Sequence, residues 1–194
     1  MSGTRATTFT LDFLDWEPWI ETIDEIDATP EQLGVVDEIM RGKKGRAYWA
    51  TLAHDVAALR GRMPLYTAIL QGEGGGPRAD RELAAAAGSR VTGCVYCASV
   101  HARAYAQQVR SREMIQRLLD EGTATELPPR ERAIVDFAAT LSTAPDAIGP
   151  DDLTPLTDAG LSDVEILDVA QAASIFANAN RLMLTLGQGN LPNV

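Results

Sequence analysis

The segment VTGCVYCASVHARAYAQ, residues 91–107, holds both cysteines of the 194-residue chain and one of its two histidines. On an α-helix each residue advances by about 100°, so Cys94, Cys97 and His101 fall within an arc of about 60°. Side chains three and four positions apart are neighbours there, with Cβ atoms about 5–6 Å apart. If Cys94 lies in the first turn, the two sulfurs reach disulfide distance. His101, one turn below Cys97, is close enough to exchange a proton with it directly or through one water. Such a set offers the chemistry of an activated thiol, because the thiolate rather than the thiol is the nucleophile. Two local effects favour the thiolate and disagree on which sulfur attacks. The helix N-terminal amides just after Gly93 stabilise charge on Cys94. His101 can instead accept the proton of Cys97.

A carboxylate completes the set. Glu82 lies twelve residues before Cys94, in DRELAAAAGSRVTGC. A helix that reverses over Gly88 to Gly93 and returns as the cysteine helix brings Glu82 against His101. A buried carboxylate fixes the tautomer of an imidazole and raises its basicity. Glu82, His101 and Cys97 then form a proton relay, and Cys94 is placed to resolve an oxidised Cys97.

Other readings compete with this one. Two cysteines three apart can be small buried hydrophobes. Zinc on Cys94, Cys97, His101 and Glu82 is chemically reasonable, but structural zinc sites usually draw on two CxxC knuckles and the chain has one. No metal or other cofactor is expected. His54 reads as a helix-surface or interface residue, and Tyr96 and Tyr105 as core aromatics. Asn178, Asn180 and Arg181 interrupt the apolar face of the last helix. Buried amides need partners, so they line the pocket or staple an oligomer interface. Tyr96 and Asn180 are the candidate pocket residues.

The elements that must position these groups are helical. Thr29-Pro30-Glu31-Gln32 reads as N-cap, first-turn proline and capping-box glutamine. Leu33, Val36, Ile39 and Met40 follow at helical spacing, and GKKG, Gly42 to Gly45, ends that helix. A second helix is expected over Ala47 to Leu59 and a third over Pro64 to Gln71. GEGGGP, Gly72 to Pro77, is the clearest break, and Pro77 opens the next helix. Ala84 to Ala87 form its dense centre, and Gly93 makes a turn. Further helices are expected over Cys94 to Val109, after a Ser111 cap as far as Gly122, and from the prolines of LPPRERAIVDFAATLS. A short helix or turn falls in GPDDLTPLTDAG. The last helix opens on a Ser162/Glu165 capping box and ends at Gly187. Alternating β-branched runs are nearly absent, so the class is all-α, about nine helices with short connections.

Residues 1–28 differ. FTLDFLDWEPWIETIDEID is acidic and aromatic, with Trp16 and Trp19 flanking Glu17-Pro18. It reads as an arm that lays its aromatics on the main body, residues 29–194, or on a neighbouring subunit. Composition is ordinary for a globular chain, 45% hydrophobic and 23% charged. No apolar run approaches the roughly 20 residues that span a bilayer, and the N-terminus lacks a secretory apolar core. The expected compartment is the cytoplasm, where a Cys pair points to catalysis, redox chemistry or metal rather than a structural staple. A net charge of −10 repels phosphate backbones and anionic lipid, so neither nucleic acid nor membrane is an expected partner.

The pattern Glu82-x11-Cys94-x2-Cys97-x3-His101 resembles the AhpD-like alkylhydroperoxidases of the carboxymuconolactone decarboxylase superfamily. RELAAAAGSRVTGCVYCASVHARAYAQ, ERAIVDFAATLS and the FANANRLML helix are similar to its peroxidase-related branch, and the resemblance runs from about Ala47 to Gly187. It implies an all-α homo-oligomer that reduces hydroperoxides. It implies Cys97 as the peroxidatic thiolate, Cys94 as the resolving thiol, and Glu82 and His101 as activating and relaying groups. It also implies a dithiol reductant, a lipoyl group on a carrier protein in the best-known members. Those members carry a second histidine just before the peroxidatic cysteine, where this chain has Tyr96. A phenol with a pKa near 10 is a poor base near neutral pH, so the relay has one base fewer. Two alternatives stand beside the peroxidase: a lyase on a small lactone acid, as in superfamily members without the CxxC pair, and a redox-sensing oligomeric module.

Overall fold

The computed structural model describes residues 3–40, 45–73 and 75–192. Among these, nine α-helices run in chain order: α1 Pro30–Met40, α2 Arg46–Leu52, α3 Val56–Gln71, α4 Arg78–Thr92, α5 Val95–Val109, α6 Glu113–Glu121, α7 Pro129–Thr143, α8 Thr154–Asp158 and α9 Asp163–Leu186. Two strands, β1 Asp15–Pro18 and β2 Gly187–Asn190, pair antiparallel with Trp16 opposite Gly189.

The all-α reading agrees with this architecture, and several helix signals act as expected. Thr29 and Gln32 close a reciprocal box at the start of α1, with Thr29 N–H donating to Gln32 at 2.9 Å. Ser162 and Glu165 do the same at the start of α9. Gly122, at φ 88°, stops α6. Residues 42–44 of the expected stop after α1 lie outside the described residues. Gly45, at φ 89°, directly precedes α2.

Other expectations fail for identifiable reasons. The helix expected over Ala47 to Leu59 breaks at residues 53–55, because Asp55 caps a new helix by accepting from Ala58 N–H. That helix, α3, continues through Pro64, which was expected to start one. Pro64 is solvent-exposed, so the carbonyl left without its i→i−4 donor can turn to water. His54 therefore sits in the α2–α3 turn rather than on a helix, its Nε2 2.8 Å from the Glu21 carbonyl. The N-cap of α6 is Arg112 and not Ser111, with no side-chain cap. Pro77 is the residue before α4, not its first.

α4 is the central element and packs against α5, α7 and α9. Leu83 and Ala84 to Ala87 are wholly buried, and small side chains let three neighbours approach one helix. Gly88 belongs to this design. A Cβ there would stand 2.5 Å from Ser142 Oγ on α7, so the residue that lowers helix propensity permits the α4–α7 contact. Gly88→Val is expected to lower stability by about 1–3 kcal/mol through overpacking, read as a reduced urea midpoint with an unchanged slope.

The arm is built into the fold. Leu11 joins the main core, and Trp16 joins a cluster with Tyr48, Cys94, Cys97 and Met183. Trp16 Nε1 donates to the Met183 carbonyl at 3.1 Å. Gly187 makes this possible, since a Cβ there would fall 2.3 Å from the Trp16 ring. Trp19 is exposed instead. Among the described residues, no helix is long and apolar enough to cross a membrane.

Candidate active site

Gly93, at φ 84°, ends α4 in the left-handed conformation. The chain reverses there alone, since Gly88 stays inside α4. Cys94 becomes the N-cap of α5, and Cys97 and His101 follow on its buried face. The tight reversal lays α5 against α4 and sets His101 opposite Glu82. His101 Nδ1 lies 2.7 Å from Glu82 Oε2, with the two side chains 4% and 2% exposed. Glu82 also accepts from Arg78 Nε at 3.0 Å. Burial is the largest single influence on the Glu82 carboxyl and opposes its ionisation. The hydrogen bonds and charges of His101 and Arg78 together outweigh it and hold the pKa below the usual carboxylate value. On its other side the His101 ring meets Phe176 edge-on, at 3.8 Å between centroids. A carboxylate and an aromatic wall thus fix the imidazole in one orientation.

Both cysteines are reduced and buried, and the two sulfurs are unequal. The thiol of Cys97 donates a hydrogen bond to Cys94, which lowers the Cys94 pKa against the effect of burial, with help from the Cys97 backbone N–H. Donating that same bond, burial, and the charge of Cys94 push Cys97 well up. In the reduced pair the first negative charge therefore rests on Cys94, at the helix N-terminus. Cys97 Sγ also lies 3.2 Å from Met183 Sδ.

Tyr96 lines a small cavity of about 40 Å³ together with Trp16, Cys94, Met183, Gly187 and Gly189. Burial, then the charge of Cys97, pushes its phenol up to about 12, so it stays a hydrogen-bond donor. Gly45 accommodates it, since a Cβ there would fall 2.7 Å from the Tyr96 hydroxyl. Tyr105 is a core residue. Asn180 is fully buried, but its amide is committed elsewhere. It accepts from Ser89 Oγ at 3.1 Å and donates to Thr92 Oγ1 at 2.9 Å. Through these bonds Asn180 ties α9 to α4 within the chain. Asn178 is exposed and accepts from Arg62 Nη1 at 2.6 Å, and Arg181 Nη1 donates to the Ala177 carbonyl. Among the described residues, no group of three or more His, Cys, Asp or Glu is placed to hold a metal ion.

Sequence reasoning missed the rest of the wall. Trp16, Tyr48 and Met183 pack with the two cysteines. Tyr66 stacks edge-on against Phe176 at 5.5 Å, and Arg62 stands 6.0 Å from the Tyr66 ring. These residues come from four separate elements and share no spacing that a sequence exposes.

The carboxymuconolactone decarboxylase family profile matches residues 57–140, a span that contains Glu82, Cys94, Cys97 and His101. No curated protein matches the chain. Among solved structures it is similar to a peroxidase-related protein from Silicibacter sp. TM1040, at 26% identity and a TM-score of 0.71, over 88% of this chain and 92% of that one. It is also similar to a peroxidase-related protein from Ralstonia eutropha JMP134, described as an alkylhydroperoxidase AhpD core, at 22% identity and a TM-score of 0.72, over 88% of each chain. A third likeness, to the debrominase Bmp8, has 18% identity and a TM-score of 0.66, over 80% of this chain and 83% of that one. With the profile spanning the central helices and these structures sharing the helical frame around them, the chain carries a segment that matches the carboxymuconolactone decarboxylase family, set within an AhpD-like helical fold.

Proposed function

We propose that the protein is a thiol-dependent peroxidase that reduces hydroperoxides through the Cys94–Cys97 couple. The observation that carries this reading is the buried 2.7 Å contact between Glu82 and His101, one helical turn from a vicinal dithiol. A structural cysteine pair has no need of an oriented imidazole, whereas a thiol that must lose and return protons does.

The chemistry balances as follows. One proton is shared across the hydrogen bond between the sulfurs. Its transfer from Cys97 to Cys94 makes Cys97 the thiolate without drawing a proton from water. Cys97 Sγ attacks the terminal, hydrogen-bearing oxygen of ROOH. The S–O bond forms, the O–O bond breaks, and RO⁻ takes a proton relayed through His101 to leave as ROH. Cys94 then attacks the sulfenic sulfur, the S–S bond forms, and hydroxide leaves as water with the Cys94 proton. Counted from the dithiol, the protein loses two electrons and two thiol protons per ROOH: the first, given up when Cys94 ionises, is the one that reaches RO⁻ through His101, and the second leaves with hydroxide. A dithiol, of the lipoyl type, reopens the bond by exchange. Cys94, which lines the small cavity, is the sulfur such a dithiol meets. Glu82 holds the imidazole in register throughout.

The reduced protein is expected to consume one equivalent of cumene hydroperoxide, losing two free thiols and two mass units. Intact mass and thiol titration check this, and thiols that survive stoichiometric peroxide overturn the reading.

A further inference from the structure

We propose that Arg62 and Tyr48 form a binding site for the carboxylate of a small organic acid beside Cys97. Given the peroxidase reading, on which this last step rests, the preferred substrate is an acidic hydroperoxide rather than a neutral one.

Among the described residues, three buried donors on α2 and α3 have no acceptor. They are Arg62 Nε, Arg62 Nη2 and the Tyr48 hydroxyl. Tyr48 is 6% exposed and packs in the same cluster as both cysteines. Buried polar groups are nearly always paired, so each orphan calls for a partner. The Arg62 pattern is specific. Nη1 is satisfied by the neutral amide of Asn178, which leaves Nε and Nη2, the two donors along one edge of the guanidinium plane. That edge is the fork that meets both oxygens of a carboxylate in parallel. Arg62 is half-buried, and among the described residues no acid pairs with it, so the covered edge of a permanent cation has neither an acceptor nor a described counter-ion. Such an arrangement is costly until an anion arrives.

The place of Arg62 ties the fork to the thiols. It stands beside Tyr66, and its charge acts on Tyr48, Tyr66 and Cys97 alike. Arg62 also forms part of the wall of a cavity of about 650 Å³ between α3 and α9, so it is approached from outside the core. A carboxylate on the fork, with the Tyr48 hydroxyl as a third donor, leaves the rest of the acid next to the sulfur. Neither residue belongs to the Glu82–His101 relay.

The test uses benzoate and its neutral analogue benzamide on the reduced full-length protein. Binding is followed by tryptophan fluorescence, since Trp49 and Trp16 flank Tyr48 at 5.2 and 5.5 Å, and by protection of Cys97 from N-ethylmaleimide. Benzoate is expected to saturate and to protect, and benzamide to do neither. Arg62→Gln weakens benzoate about tenfold or more, and Arg62→Lys, which keeps the charge without the fork, weakens it less. Tyr48→Phe, which removes only an unpaired hydroxyl, gives a several-fold loss and decides the matter if the Arg62 variants do not fold. Equal binding of acid and amide, no benzoate binding at millimolar concentration, or binding that neither position affects overturns the site. Cumene hydroperoxide carries no carboxylate, so its consumption by the native protein judges the peroxidase reading separately.

Discussion

Cys97→Ser is expected to abolish hydroperoxide consumption, whereas Cys94→Ser is expected to stop it after the first step. A serine hydroxyl does not attack an O–O bond under these conditions, so the first variant keeps its Cys94 thiol through stoichiometric peroxide. The second loses its one thiol and gains one oxygen, and dimedone traps the product on Cys97. Dimedone on Cys94 of the Cys97→Ser variant would reverse the two roles. The reversal is a real contest, because the lowered pKa belongs to Cys94 and the raised one to Cys97. The pH dependence of alkylation separates charge from role. An ordinary thiol is half ionised near pH 8.5. The lowered pKa of Cys94 keeps its alkylation fast below that pH, and the rate falls only as pH drops through the lowered value. Cys97→Ala removes the donated hydrogen bond and moves the inflection upward.

Glu82→Gln is expected to produce the second large effect, a fall of about 10²–10³-fold in peroxide reduction, the scale of a lost or misdirected acid–base partner. The amide keeps the shape of the carboxylate but cannot accept as strongly from His101 Nδ1, and it can turn its NH₂ toward the ring. On the proposed reading Glu82 touches no substrate and acts through His101, so the diagnostic readout is a fall in kcat with an unchanged KM for the hydroperoxide. Stability gives a second readout with a definite sign. A carboxyl whose pKa is lower in the folded than in the unfolded state contributes stability above its unfolded value, about 4.3. That contribution is lost as pH falls through the folded value. Acid unfolding of the native protein therefore carries a component that Glu82→Gln lacks, and identical acid limbs would remove Glu82 from the ionised network.

Glu82, Cys94, Cys97 and His101 were legible because three of them share one helix face and the fourth lies one tight reversal away. Gly93 and the helical period supply all the geometry involved. The last helix was legible from Ser162, Glu165 and Gly187 for the same local reason. Arg62, Tyr48, Trp16 and Met183 were not legible, because only tertiary packing brings them to the thiols. The α2–α3 boundary was missed because Pro64 is a stronger sequence signal than Asp55, yet a cap that satisfies a backbone donor outweighed a proline that solvent could accommodate. Asn180 was read as a polar interruption of an apolar face. Its partners, Ser89 and Thr92, lie on α4, where no helical period of α9 could reveal them.

The pairing of β1 with β2 has a bearing on how the chain is made. The wall over the dithiol is closed by a tryptophan and a backbone carbonyl 167 positions apart. Contacts of such separation carry the greatest chain-closure cost and tend to form late. During synthesis both sulfurs leave the ribosome about ninety residues before the final strand exists to cover them. The nascent chain thus passes through an interval in which its most reactive groups lack their lid, and premature oxidation in that interval is the hazard its biosynthesis must outrun.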